Sequence, residues 1–270
     1  MSAPLPATYL FVPGDRPERF AKAIDAGAGA VIVDLEDAVA PENKQAARDA
    51  CARLYSGGPK ATPLLVRIND AGSPYFDDDL ALLKNSGIEG VMLSKTESAN
   101  QIARVSAALG PKGYVIALVE SARGIANAGE IAHGHKVQRL AFGTLDYAID
   151  LDLSGDERGL TYPSCQLAIV SRAAGIGSPV AGVTTELNDE ARLLADFAFA
   201  RACGFGAKLC IHPRQIMPLR RALEPTSVEI DWARRVLAAI ESGQAAVQVD
   251  GKMVDRPVML KARDILRRVN

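Results

Sequence analysis

Little in this sequence ties it to an oxidising compartment, a membrane or a nucleic acid. Its four cysteines, Cys51, Cys165, Cys203 and Cys210, form no CxxC pair in 270 residues, which fits reduced, partly buried thiols better than a disulfide framework or a zinc site. No apolar run approaches the ~18–20 residues of a membrane-spanning helix. The start, MSAPLPATYLFVPGD, has no basic segment leading into a long apolar one, so the expected location is cytoplasmic. Neither sign of charge dominates: 31 Lys and Arg stand against 32 Asp and Glu, a net charge of -1. Such a chain has no field with which to gather nucleic acid or an anionic membrane, and neither is expected as a partner. Histidine is scarce, with three residues. HGH at 133–135 falls in a loop expected at the surface, and His212, ahead of Pro213, could simply anchor a turn.

What the chain does contain is apolar sequence in short, regular pieces. At 48% hydrophobic content over 270 residues it can bury a large core, and one large α/β domain is expected. The runs TYLFV, AVIVDL, PLLVRI, GVMLS, YVIALV, RLAFG, PVAGV and AKLCI alternate with amphipathic stretches. RPERFAKAIDAG, PENKQAARDACARLY, FDDDLALLKNSG and GIANAGEIAHG are among them, several closing on a Gly of the kind that ends helices. Eight strand-helix units at spacings of roughly 25 to 40 residues are the arithmetic of a (β/α)8 TIM barrel, with a doubly wound open sheet as the alternative. The barrel is expected over residues 1–216 and a C-terminal helical extension over 217–270, where SVEIDWARRVLAAIES sets Trp232, Val236, Leu237 and Ile240 on one helix side.

In a barrel of this type the active site lies at the C-terminal ends of the strands, so every strand exit bears on one shared surface. The exits carry Gly14 and Asp15, then Glu36 and Asp37 closing VIVDLED, then Arg67 and Asn69, Lys95, Glu120, Asp146, Thr184 and Thr185, and His212. Taken singly, each has an ordinary reading as a turn, cap or salt-bridge residue. Taken together, carboxylates from three strands converge on one mouth, where they would raise one another's pKa unless a cation held them. Mg²⁺ typically takes one or two protein carboxylates and completes its octahedron with water and substrate oxygens. Glu120 and Asp146 suffice as direct ligands, with Mn²⁺ as a substitute ion and Glu36 and Asp37 acting through water. Arg67, emerging from apolar LLVRI, offers a permanently charged planar fork for a carboxylate or an enolate oxygen.

These motifs resemble the citrate lyase β-subunit-like branch of the HpcH/HpaI aldolase superfamily. The resemblance rests on LFVPGDRPERFAKA (10–23), VDLEDAVAPENKQAAR (33–48), VRIN (66–69), MLSKTES (92–98), ALVESARGIANA (117–128), AFGTLDYAIDL (141–151) and GFGAKLCIHPRQI (204–216), in order and nearly end to end. It implies a trimer or dimer of trimers, Mg²⁺ on Glu120 and Asp146, substrate on Arg67, and supporting carboxylates at Glu36 and Asp37. It also implies a CoA phosphate near Arg16, Arg19 and Lys22, although RPERFAKA reads equally as a helix with a solvated basic face. DGKMVDRP is similar to the C-terminal lid of malyl-CoA and citramalyl-CoA lyases, in which the second Asp, here Asp255, enters a neighbouring subunit's site. The same residue reads as an N-cap ahead of a last helix carrying Pro257.

The reaction this resemblance implies is retro-Claisen cleavage of a β-hydroxyacyl-CoA of citramalyl-CoA or malyl-CoA type to acetyl-CoA and a 2-keto acid. No Schiff-base lysine is needed, and Lys95 is expected to be structural or phosphate-facing. Four other readings compete: a citrate lyase β subunit acting on citryl-acyl-carrier protein, a pyruvate aldolase acting on free aldehydes, a malyl-CoA thioesterase, and a non-catalytic barrel that only binds CoA and metal.

Overall fold

The computed structural model describes residues 5–58, 60–241 and 248–267. Eight parallel strands close in sequence order, β1 pairing with β2 on one side and with β8 on the other. The order is β1 (Thr8–Pro13), α1 (Phe20–Ile24), β2 (Ala30–Asp34), α2 (Lys44–Ser56), β3 (Leu64–Ile68), α3 (Phe76–Ser86), β4 (Gly90–Leu93), α4 (Ala99–Ala108) and β5 (Tyr114–Val119). Two short helices, α5 (Ala122–Ala126) and α6 (Ala128–Ala132), lead to β6 (Val137–Phe142). Then come α7 (Thr144–Asp150), α8 (Arg158–Ala173), β7 (Gly177–Ala181), α9 (Glu190–Ala202), β8 (Ala207–Cys210) and α10 (Ile216–Leu223). The barrel, not the open sheet, is the fold.

Parallel strands are covered on both faces, by barrel interior and by helices, and read as continuous apolar runs. In β2 every residue is buried. The two faces still alternate with a period of two. Ile32, Leu65, Met92 and Leu118 fill the interior together with Tyr9 and Ile116. Two residues further along the same strands stand Asp34, Arg67, Ser94 and Glu120, so the interior face of the barrel becomes the floor of its mouth. Local rules set the helix ends. Ser98 and Gln101 form a reciprocal capping box on α4, and α3 stops at Gly87 with φ 65°. Two expected helices are shorter than their patterns. Pro17–Arg19 forms a 3-10 turn before α1, and Asn127 ends α5 while starting α6, breaking GIANAGEIAHG in two.

The chain divides into two compact units after Pro218. In the second, α11 (Ser227–Glu241) and α12 (Arg256–Arg267) flank a hairpin of β9 (Gln248–Val249) and β10 (Lys252–Met253). Ala233, Val236, Ala262 and Ile265 form its core, with Trp232, Leu237 and Ile240 packed against it. Asp250 and Gly251 turn the hairpin with φ 51° and 75°, both positive as the primed hairpin turn demands. The four cysteines are free, and burial pushes the thiols of Cys51 and Cys210 up to about 12. Among the described residues no helix is long and apolar enough to cross a membrane.

Candidate active site

The three carboxylates of VIVDLED do three different jobs. Asp34, 1% exposed, accepts the backbone N–H groups of Glu36 and Ala38 at 3.0 and 3.1 Å. It also accepts Arg67 Nε and Nη2 at 2.7 and 2.5 Å. Glu36 is buried and meets Arg67 Nη1 at 2.9 Å and Lys95 Nζ at 2.7 Å. Asp37, its side chain 61% exposed, lies at the rim 3.7 Å from Arg67 Nη1. The turn is pinned from behind by the buried ammonium of Lys44, whose three donors are spent on Leu35 O, Glu36 O and Asn69 Oδ1 at 2.7–2.8 Å. Burial draws the Lys44 pKa down, and the charges of Asp34 and Asp79 act against that. Asn69 is in turn held by buried Asp79. Gly14 completes the corner: a Cβ there would sit 2.7 Å from Asp34 O.

Arg67 stands opposite Asp34 in the strand register and lies over the Phe11 ring at 4.8 Å. Burial pulls its pKa down, but the charge and hydrogen bonds of Asp34 and then Glu36 more than offset this and raise it. The fork expected to face substrate is therefore committed to Asp34, and Nη1 is the part of the guanidinium left to the mouth. Lys95 has φ 45° and donates its backbone N–H to Glu120 Oε1 at 2.7 Å. Burial would lower the Lys95 pKa, yet its hydrogen bond and charge interaction with Glu36 raise it, the opposite of what an imine-forming lysine requires. Lys95 Nζ, on a side chain 43% exposed, is paired with Glu36 at 2.7 Å.

Glu120 and Asp146 face the same cavity, of about 370 Å³, with Asp34, Asp37 and Arg67 on its polar side and Phe11, Leu118 and Val183 among its apolar walls. Glu120 is buried and its carboxyl is pushed up to about 8, first by desolvation and then by the charges of Asp146 and Glu36. Asp146 lies in the first turn of α7, where a helix start favours negative charge. Gly143 packs against Glu120: an added Cβ would collide with Glu120 Oε2 and come within 2.6 Å of Glu120 Cβ.

These residues fit a hard divalent ion. The charge of Asp146 acts against that of Glu120, with Arg67 opposing it only in part, and among the described residues buried Glu36 Oε2 has no directed hydrogen bond despite the nearby arginine. Among the described residues no three His, Cys, Asp and Glu side chains converge as a cage, and Mg²⁺ typically takes only one or two protein carboxylates. The structure thus brings together Glu36, Asp37, Arg67, Glu120 and Asp146. Arg16, Arg19 and Lys22 lie on the exposed face that follows β1. Asp255 belongs to the second unit, where it is exposed and caps α12 by accepting Val258 N–H at 3.1 Å. His212 is an N-cap, accepting Arg214 N–H, and Thr184 donates to Asp196 at 2.5 Å.

Sequence reading missed Asp34 and Lys44. Asp34 could have been found by carrying the alternation Ala30, Ile32 one step further along the inward face; Lys44 carries no such signal, because its acceptors are backbone carbonyls and a distant asparagine.

Fold and site together define a (β/α)8 barrel whose acidic mouth is suited to a hard cation and an oxygen-rich anion. The chain belongs to the HpcH/HpaI aldolase/citrate lyase family, which it matches over residues 7–213. It is 40% identical over 266 residues to the citrate lyase subunit beta-like protein of Mycobacterium tuberculosis (strain H37Rv), covering 96% of this chain and 94% of that one. It is 32% identical over 266 residues to (3S)-malyl-CoA thioesterase of Cereibacter sphaeroides, covering 96% and 93%. Crystalline CitE from M. tuberculosis, in complex with magnesium, acetoacetate and coenzyme A, shares the fold with a TM-score of 0.85 at 37% identity over 97% of both chains.

Proposed function

We propose that the chain is a Mg²⁺-dependent carbon-carbon lyase that cleaves a β-hydroxyacyl-CoA of citramalyl-CoA or malyl-CoA type into acetyl-CoA and pyruvate or glyoxylate. The observation that carries this reading is the pair of carboxylates, Glu120 and Asp146, that line one cavity at the barrel mouth with Arg67 beside them. The magnesium and coenzyme A held by the related CitE protein support it.

Glu120 and Asp146 would hold Mg²⁺, or Mn²⁺ in its place, and the ion would supply Lewis acidity at the substrate hydroxyl and the keto oxygen that replaces it. The protein does the rest. Asp37, exposed at the rim, receives the hydroxyl proton through water, while Glu36 stays bound to Arg67 and Lys95 and keeps both cations in place. As the carbon-carbon bond breaks, its electron pair passes to the thioester as an enolate. Arg67 Nη1 hydrogen-bonds the enolate oxygen beside the apolar walls of the cavity. Asp255, supplied by a neighbouring protomer of a trimer or dimer of trimers, delivers the proton that turns the enolate carbon into the methyl group of acetyl-CoA. Arg16, Arg19 and Lys22 meet the CoA phosphates.

The malyl-CoA thioesterase relative favours a second reading, hydrolysis of the thioester. Citramalyl-CoA and malyl-CoA, each incubated with Mg²⁺ and with EDTA, separate the two. Metal-dependent release of acetyl-CoA with pyruvate or glyoxylate supports the lyase; free CoA with an intact hydroxy acid supports the thioesterase, and no turnover of either overturns both.

A further inference from the structure

A second cavity lies outside the barrel wall, between β7 and β8 on one side and α8 and α9 on the other. Its volume is about 240 Å³, and Phe142, Phe199, Phe205, Leu160 and Ala200 form much of its lining. That is smaller than the ~300–1,000 Å³ of pockets for drug-sized ligands, so it suits a ligand of a few carbon atoms rather than a nucleotide.

Into this apolar space points a charged group that the proposed reaction does not use. Lys208, 2% exposed, stands on the outward face of β8, between Ala207 and Leu209, which point into the barrel. One of its three donors goes to Gly182 O at 2.7 Å, which among the described residues leaves two N–H groups, since an ammonium is a threefold donor. The other charged groups of the wall already have partners. Arg192 binds Asp196 at 2.7 Å and Glu157 at 3.2 Å, Asp196 also accepts the Thr184 hydroxyl, and Glu186 accepts that of Thr185. A buried ammonium with donors to spare costs stability that a simple packing role does not return, because a methionine would fill the same path without that cost.

We propose that this cavity is a second binding site, for a small amphipathic monocarboxylate whose carboxylate takes the two remaining N–H groups of Lys208 and whose apolar part lies among Phe142, Phe199 and Phe205. A carboxylate is the acceptor that matches both the charge and the donors, and such hydrogen bonds are the strong ones in a water-poor space. Burial lowers the Lys208 pKa to about 8, with the charge of Asp196 acting against it, so the amine is mostly charged at pH 7. Thr144, Leu145, Gly182 and Val183 line both this cavity and the mouth, so the two adjoin across these residues. The site itself is independent of the chemistry at the mouth and is read by binding alone.

The test is calorimetric titration of the full chain with hexanoate and, as a neutral control, hexan-1-ol. Wild type should bind hexanoate more tightly than hexanol, and Lys208→Met should weaken hexanoate binding about tenfold or more while leaving hexanol unchanged. Ala200→Leu, which narrows the cavity and keeps the amine, should weaken both ligands and decides the matter if Lys208→Met does not fold. No hexanoate binding at millimolar concentration, or equal binding by wild type and both variants, overturns the site. Hexanoate binding that survives Lys208→Met but is lost in Arg67→Met places the carboxylate at the mouth and overturns it too.

Discussion

Asp34 and Arg67 are side-by-side partners in the register of β2 and β3, joined by two hydrogen bonds of 2.7 and 2.5 Å. Asp34 is the fixed end of the pair, its carboxylate also taking two backbone N–H groups of the turn that carries Glu36 and Asp37. One aspartate thereby sets both the orientation of the guanidinium and the path of the acidic turn.

Removing one partner of a buried ion pair leaves a charge with nothing to meet it, which typically costs about 3–5 kcal/mol. Asp34→Ala should lose stability of that order in urea denaturation. Asp34→Asn keeps the hydrogen-bonding shape and should lose less, while both lower kcat/KM by freeing Arg67.

Glu120→Gln and Asp146→Asn should weaken Mg²⁺ binding measured by calorimetry and leave the circular dichroism spectrum unchanged. Gly143→Ala replaces neither ligand yet places a methyl group against the Glu120 carboxylate. It should weaken Mg²⁺ about 10–100-fold, as displacement of a group that orients a ligand does. Unchanged affinity in Glu120→Gln would remove that residue from the metal site.

Glu120 also sets a pH dependence. Its carboxyl titrates near 8 in the folded chain against a usual 4.5, so between those values the folded state holds a proton that the unfolded state has released. Stability must then fall as pH rises through that window. In EDTA the urea midpoint should decline from pH 5 to 8, the decline should flatten in Glu120→Gln, and Mg²⁺ binding at pH 7 should release close to one proton, read from buffers of different ionisation heat.

Asp255 has two roles that variants separate. As the cap of α12 it should contribute about 1 kcal/mol, lost in Asp255→Ala and largely kept in Asp255→Asn, since Asn caps as well as Asp. As the proposed proton donor it should be equally lost in both. Mg²⁺ binding and assembly state, measured by light scattering, should stay unchanged in both. A fully active Asp255→Asn would remove the residue from the chemistry.

The eight strands were legible because a strand buried on both faces is a continuous apolar run, as AVIVD is. Glu36, Glu120 and Asp146 drew attention because each stands shortly after the end of such a run, at Asp34, Val119 and Phe142. Asp34 did not, since a carboxylate inside the run reads as the first residue of an acidic turn, although the alternation Ala30, Ile32, Asp34 marks it as inward-facing. The support behind the turn was out of reach for a different reason: Lys44 to Asn69 and Arg48 to Asp79 pair residues 25 and 31 apart, and each looks like an ordinary polar position of its own helix or loop. The Asp250-Gly251 hairpin had its turn dipeptide in plain view, but paired strands of two residues each show no period.

The most direct measurement is the isotope content of the product. Cleavage of citramalyl-CoA or malyl-CoA in D₂O with Mg²⁺, followed by mass analysis of the thioester, should give acetyl-CoA carrying a single deuterium in its methyl group, because the enolate carbon takes its proton from an exchangeable carboxyl. Free CoA with an intact, unlabelled hydroxy acid would show that the thioester was hydrolysed and no carbon-carbon bond was broken, which contradicts the lyase.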